Sequence, residues 1–537
     1  MQIGARLAAG LLLVLGGAGI AGASAEPLRA QEPDSVEAAP GAGQPADTVA
    51  AADSARPGVD DPGGVRAVPD SLQGLPDSTL AKIRARTPLF PEDVDPYTAI
   101  GLGRPSIVLS REDLVGWPSA TLAGILPRLL PLGTDDQGGP GFFQDLRFPS
   151  GPAGETRILI DGRPLESALG PAADLRAIPV AALERIEIRP GAAPVTGGPA
   201  AGWINLVTRT HLTPQSNSAL SFELGAFGQE GFSASLGRWL GTRFSAFASL
   251  NFDDAETFTT VADASRSRVF AKARYYLSRR HFVEAAFGTA GVTVDSQRSD
   301  PSEPSPFTGI EDRRERRLQA LYRGRIGGVL ASARVFSDRF EEREAFTLGD
   351  RPLLRGDVTR RGARVGARVP VRFGFAEVGG EWQEDKLDSD RQPFPEEEDV
   401  PAAEGDSVPL FDARTARAAL FAGAEIAIDS LALAAHARME RFEVPSTVTE
   451  PAFSVEARYA GPAGLAPFVR GARSARQPAF VEQAVLVNAG VPGSTGVTSV
   501  LEARAGAGWR GPAGLTAEVA GFRRRGDDVP VWLPPTA

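Results

Sequence analysis

The chain has 537 residues, 57 basic against 67 acidic, a net charge of -10 and no cysteine. That length exceeds one ordinary soluble core and predicts two or more domains, or one very large one. Without Cys there is no disulfide scaffold, thiolate metal site or Cys nucleophile, and the net negative charge offers nucleic acid no attraction.

Residues 1–25 set Arg6 ahead of the apolar run LAAGLLLVLGGAGIAG, which Ala23-Ser24-Ala25 follow. A basic start, a short apolar stretch and small residues before a cleavage point predict a secretory signal peptide. The run is shorter than the roughly 20 residues a spanning helix needs, and no later stretch is long and apolar enough for one. Residues 26–96 are rich in Ala, Pro, Asp, Glu and Gly. Such a composition cannot bury enough apolar area to offset chain entropy, so a disordered tail is expected.

Order is expected from residue 97 to 212, in a compact α+β domain. SIVLS is a short strand, and SREDLVGWPSATLAGILPRLL offers Ser110 as an N-cap with Asp113 three residues on, before apolar residues at helical spacing. FFQDLRF and TRILIDGRPL follow as strands, Asp161-Gly162 making a hairpin turn. AADLRAIPVAALERI reads as a second helical patch whose start Pro179 fixes. The strands ERIEIRP and GWINLVTRT close the unit, with glycines such as Gly191 where the chain reverses.

Residues 213–537 change character. In TRFSAFASLNF, Phe244, Ala246, Ala248, Leu250 and Phe252 share one face, and Arg243, Ser245, Ser249 and Asn251 the other. RRGARVGARVPVRF, SLALAAHARME and SVEARYAG repeat the two-residue period. Ala- and Val-rich faces are thin material for a soluble sandwich core but adequate against lipid. Strands of ten or more residues have the length that a tilted strand needs to cross a bilayer. A sheet in lipid must satisfy its edges, so an antiparallel transmembrane β-barrel is expected. Short turns near 240–242, 278–280, 327–328, 372–375, 428–430, 461–464 and 511–514 alternate with long polar connections around 253–266, 291–312, 340–358, 386–412, 441–451 and 475–497. The pattern gives about fifteen strands. Bacterial single-chain barrels have even counts, so either one strand is missed or the chain stops before its barrel closes; the second is the expectation.

The stretch ILIDGRPL, Ile178-Pro179, LERIEIRPG, TGGPAAG and WINLVTR resembles, in order and spacing, the plug domain of TonB-dependent outer-membrane receptors. The motif residues are Asp161, Gly162, Pro179, Glu184, Arg185, Glu187 and Gly191. GARSARQPAFVEQ and SVLEARAGAGWRGPAGLTAEVAGFRRRGDDVPVW are weaker echoes of barrel segments of the same family. The resemblance implies a 22-stranded barrel around the plug, and so about fifteen strands of 22 present. It also implies an outer-membrane setting with plug and tail on the periplasmic side, and uptake of a scarce small ligand of siderophore, cobalamin or oligosaccharide class. A TonB-type energy-coupling protein would be the partner. The resemblance further implies that plug arginines, here Arg147 and Arg189, meet barrel glutamates, here Glu502. Leu146-Arg147-Phe148 stands where the family has Arg-Gly, and no segment of the tail is a convincing TonB box. The alternatives are a non-transporting receptor fragment and a passive outer-membrane channel.

Neither a cofactor nor a metal is expected. His211, His281 and His436 are far apart, and Asp253-Asp254 and Glu396-Glu397-Glu398 fall in loops where solvated carboxylates suffice. No P-loop, G-x-S-x-G, H-E-x-x-H or EF-hand pattern occurs, so an enzyme is not expected.

Overall fold

In the computed structural model, residues 99–100, 102, 105–115, 121–136, 143–149, 151, 155–166, 170, 173–191, 201–211, 216–225, 228–256, 262–296, 309–346, 353–392, 408–409, 413–443, 447–480, 497–510 and 516–527 are described. The expected signal peptide, the tail up to residue 96, the Gly-rich turn at 192–200 and the turn at 511–514 lie outside them.

The first domain begins with β1 (Ile107–Ser110), which runs directly into α1 (Arg111–Val115). Ser110 and Asp113 form the expected reciprocal cap. The Ser110 N–H donates to Asp113 Oδ2 at 2.7 Å, and the Asp113 N–H donates back to Ser110 Oγ at 3.4 Å. Then come α2 (Leu122–Leu129), the small hairpin β2 (Gly133–Asp136) and β3 (Gln144–Arg147), and β4 (Thr156–Ile160) with β5 (Arg163–Pro164). The two residues joining β4 and β5, Asp161 and Gly162, have φ of 49° and 82°. Two consecutive positive φ values make the type I′ turn that suits the twist of a hairpin. β6 (Leu183–Pro190) and β7 (Gly202–Thr208) complete a five-stranded sheet ordered β1-β6-β7-β4-β5, in which only β4 and β7 run parallel. Leu122, Ile125 and Leu126 of α2 pack on Ile158, Ile186, Ile188, Ile204 and Leu206 of that sheet.

AADLRAIPVAALERI is no α-helix but two 3-10 turns, η1 (Leu175–Ala177) and η2 (Val180–Ala182). Pro179 lacks an N–H and forces the residue before it out of the helical region; Ile178 accordingly sits at φ -109°, ψ 113°.

The second domain is a meander of β8 (Asn217–Leu224), β9 (Glu230–Leu240), β10 (Phe244–Glu256), β11 (Ala262–Ser278), β12 (His281–Ser296), β13 (Gly309–Ile326), β14 (Val329–Phe346) and β15 (Leu353–Val371). It continues through β16 (Gly374–Gln392), with the short β17 (Val408–Pro409) beside it, to β18 (Ala413–Ile428), β19 (Leu431–Glu443), β20 (Thr447–Tyr459), β21 (Leu465–Arg476), β22 (Thr498–Arg510) and β23 (Thr516–Asp527). Apart from β17, fifteen strands follow one another in sequence order, each antiparallel to the next. Among the described residues, β8 and β23 are the two edges of this sheet and are not paired with each other. The described short turns fall where the sequence places them, at 241–243, 279–280, 327–328, 372–373, 429–430 and 460–464.

The long connections are shorter than expected because the strands run on. β13 and β14 are 18 residues each, and β15 and β16 are 19. Their outer ends, such as 309–312 and 340–346, are densely charged and read as loop. In register, however, Arg314 faces Glu341 and Asp312 faces Arg343, so opposite charges sit directly across the ladder and support the pairing.

The faces are inverted relative to a soluble protein. Leu220, Phe222, Val335, Val365, Leu420 and Val455 are exposed, whereas Arg364, Arg368, Glu381, Arg438 and Glu440 are buried. On β10, Ser245, Ser249 and Asn251 are buried and Phe252 is exposed. Apolar side chains therefore face outward and charged ones face the interior, where the first domain sits. A stacked belt of this kind is stable only if lipid replaces water outside.

Candidate functional site: the interface of plug and barrel

The α+β domain is held in the lumen chiefly by charge. Its first anchor is the β4–β5 turn. The I′ geometry turns the Asp161 carboxylate back onto Thr208, whose N–H donates at 2.9 Å and whose hydroxyl donates at 2.6 Å. The same carboxylate accepts from Lys272 Nζ on β11 at 3.2 Å and from Gln319 Nε2 on β13 at 3.1 Å. Burial alone would push Asp161 up, but Lys272 foremost, with the Thr208 bonds and Arg334, brings it down to about 2. Next to it, Arg163 donates through Nε to Gln319 Oε1 at 3.0 Å and pairs with Asp338 of β14.

The second anchor is η1. Asp174 accepts the Arg176 N–H at 2.9 Å and its guanidinium at 2.8 Å, and Arg313 Nη1 of β13 lies 3.5 Å from the same carboxylate. Arg176 also pairs with Glu311 of β13, and its carbonyl accepts from Arg268 Nη1 at 3.2 Å. Burial opposes the charge on Asp174, yet Arg176 and Arg313 hold its carboxyl well below the usual carboxylate range.

The third anchor is the end of β6. Arg189 forks between two barrel strands, with Nη1 3.3 Å from Glu425 Oε1 on β18 and Nη2 3.0 Å from Glu456 Oε2 on β20. Arg470 Nη1 of β21 donates to the Pro190 carbonyl at 2.6 Å. Gly191 follows at φ 83°, and a Cβ there would come 3.0 Å from Arg470 Nη1 and 3.2 Å from Glu502 Oε1. Farther along, Arg524 of β23 pairs with Glu155.

The residues singled out in the sequence are distributed as follows. Arg189, Gly191 and Glu502 come together at the third anchor, where Glu425 and Glu456 take the Arg189 fork. Arg147 is exposed on the β2–β3 hairpin, its Nε 2.9 Å from where a Cβ on Gly133 would stand. Asp161 and Gly162 make the expected turn, and Asp161 also reaches the barrel. Pro179 separates η1 from η2. Glu184 lies 4.0 Å from Arg209 Nε at the domain's margin. Arg185 pairs with Glu187 at 2.8 Å, and Glu187 accepts from Asn205 Nδ2 at 3.1 Å, so these motif residues tie β6 to β7 within the domain.

Sequence reasoning did not single out Arg163, Arg176, Lys272, Glu311, Asp338, Glu425 or Glu456. The signal existed in part, since a charge on the polar face of an alternating strand points into the lumen. Glu456, between the outward Val455 and Ala457, is such a position.

Residues 101–202 match the family described as TonB-dependent Receptor Plug Domain. The fold is similar to that of the ferric enterobactin receptor PfeA of Pseudomonas aeruginosa, at a TM-score of 0.62 and 15% identity over 79% of this chain and 72% of that one. The siderophore receptor PirA of Acinetobacter baumannii aligns at 0.61 and 14%, over 78% of this chain and 70% of its own. The ferric citrate transporter FecA aligns at 0.63 and 14%, over 78% and 69%. Residues 101–202 thus match a TonB-dependent receptor plug domain, and the chain shares the fold of these receptors, an α+β domain held by ion pairs within a curved antiparallel sheet.

Proposed function

We propose that the protein is an outer-membrane receptor that imports a scarce small ligand, with energy relayed from the inner membrane by a TonB-type partner. The reading rests on one observation above the rest. The plug is fixed to the wall by side-chain ion pairs and carbonyl contacts, such as Arg189 with Glu425 and Glu456, and not by a continuous apolar core. Buried charge pairs hold a domain in register, yet each can exchange its partner for water once the domain is drawn out.

On this reading residues 1–25 are a signal peptide, 26–96 a periplasmic tail that offers an extended segment for strand addition by the partner, 97–212 the plug and 213–537 the barrel. The plug and the short turns face the periplasm, and the long connections face outward. The ligand belongs to the siderophore, cobalamin or oligosaccharide class; ferric chelates are tried first, because the structural neighbours are named for them.

The test is uptake of a panel of labelled ferric chelates by cells expressing the protein, with and without a functional coupling protein. Accumulation that requires the coupling protein is expected. Accumulation that persists without it would mean a passive channel. None at all from correctly inserted protein, with ferric chelates and then with labelled cobalamins and oligosaccharides, would mean a non-transporting receptor fragment.

A further inference from the structure

The outward face of β13, β14 and β15 carries a group of cations that the plug does not use. Arg316, Arg339 and Arg361 are exposed, while their neighbours Arg317, Asp338 and Arg360 point inward and are buried. In register Arg316 faces Arg339, and Arg361 faces the exposed Ser337. Ser337 is two residues from Arg339 on the same face and diagonal to Arg316. Directly opposed side chains lie about 5 Å apart and diagonal ones about 7–8 Å, so three arginine positions stand around Ser337.

Like charges facing each other across a ladder are unfavourable unless an anion joins them. The nearby carboxylates do so only in part. Arg339 lies 3.0 Å from Glu341 and 3.7 Å from Asp357. Glu384, opposite Arg361, is taken by Arg414. Among the described residues, Arg316 and Arg361 have no carboxylate at ion-pair distance.

The position of the cluster selects the anion. Immediately on one side lies the apolar belt, with Leu318, Val335, Val365 and Trp382 exposed. Ser337 lies about eight residues along β14 from its short turn, which at ~3.3 Å per residue and a tilt of ~40° is ~20 Å. That is close to the height of an apolar band of about 25 Å, so the cluster stands at the rim remote from the short turns. A free anion has no reason to prefer that rim. A headgroup whose acyl chains lie along the belt does.

We propose that Arg316, Arg339, Arg361 and Ser337 bind the phosphate of a membrane lipid in the leaflet remote from the short turns. The planar forks of the arginines match phosphate oxygens bidentately, the Ser337 hydroxyl donates a further bond, and the lipid chains cover Leu318, Val335 and Val365. The site rests on the membrane-barrel reading and gives it a specific lipid contact, independent of what the receptor imports.

The full-length protein is purified from outer membranes in mild detergent, exchanged into fresh detergent, and its retained lipid phosphorus measured per molecule. Binding is then measured to nanodiscs containing or lacking a phosphomonoester lipid, with inorganic phosphate as competitor. Arg316→Gln with Arg361→Gln is compared with Arg243→Gln, an exposed arginine beside a short turn at the opposite rim. The expected result is phosphate-dependent binding that falls roughly tenfold or more in the double variant and is unchanged in the Arg243 control. Equal binding by both variants, or binding that ignores lipid phosphate, would overturn the proposal. So would displacement by millimolar inorganic phosphate, which would make this a free-anion site. Heat-modifiable migration of each variant shows that the barrel is intact. Its loss in the wild type would sink the barrel reading itself, a failure distinct from loss of lipid binding alone.

Discussion

Arg189 and Asp161 set how firmly the plug is seated. Removing Arg189 takes the fork from buried Glu425 and leaves Glu456 to Arg470 and Arg458, each 3.8 Å away, so Arg189→Ala should destabilise the seated plug by about 3 kcal/mol. Limited proteolysis of the plug in urea would measure it, and Arg189→Lys should recover only part, since a single ammonium cannot fork between two strands. Asp161 supplies a pH dependence. Its carboxyl titrates at about 2 in the folded plug, below the roughly 3.9 of an unfolded Asp. Its contribution is therefore complete above about pH 4 and is lost as pH falls through 2. Asp161→Asn should abolish that acid-sensitive component, read as plug stability between pH 5 and 2, while leaving the type I′ turn able to form. Gly162 is constrained twice. Its φ is 82°, and a Cβ there would come 2.3 Å from the Ala99 Cβ. Gly162→Ala should cost about 2 kcal/mol of plug stability in the same assay.

At the scale of elements, the barrel strands state their own orientation. Val335 faces out and its neighbours Arg334 and Phe336 face in, so Val335→Arg should raise the cost of folding into vesicles by ~2–3 kcal/mol. Thr293→Arg lies on the exposed outer part of β12, beyond the belt, and should cost ~1 kcal/mol or less in the same urea titration. These elements were largely legible beforehand. Two-residue alternation in TRFSAFASLNF and RRGARVGARVPVRF marked both faces, and glycines and charges marked the turns. The outer ends of β13 and β14, GIED at 309–312 and FEEREAF at 340–346, have the composition of a loop, which alone cannot show that opposite charges align across strands. AADLRAIPVAALERI has the apolar spacing of a helix, but the steric demand of Pro179 splits it into two 3-10 turns. The plug's contacts were half legible for a similar reason. ILIDGRPL and LERIEIRPG locate Asp161 and Arg189, but their partners Lys272, Glu425 and Glu456 are brought close only by the curving of distant strands around the plug.

For the whole molecule, both domains obey one rule, that buried charge must be met by charge. The plug alone would carry Asp161, Asp174, Arg176 and Arg189 into solvent, and the barrel alone would line its lumen with Lys272, Arg313, Glu425 and Glu456. Together they satisfy one another, and the apolar surface is left on the outside. The measurement that bears most directly on this inverted arrangement uses the absence of any cysteine in the chain. A nitroxide attached to single cysteines introduced from residue 331 to 340, in protein folded into lipid vesicles, reports collision with apolar oxygen and with a polar relaxant. Period-two alternation is expected, with oxygen access greatest at 333 and 335 and falling toward the charged rim at 339. Uniform access along β14, or high oxygen access at 334 and 336, would contradict a plug-filled barrel in a membrane.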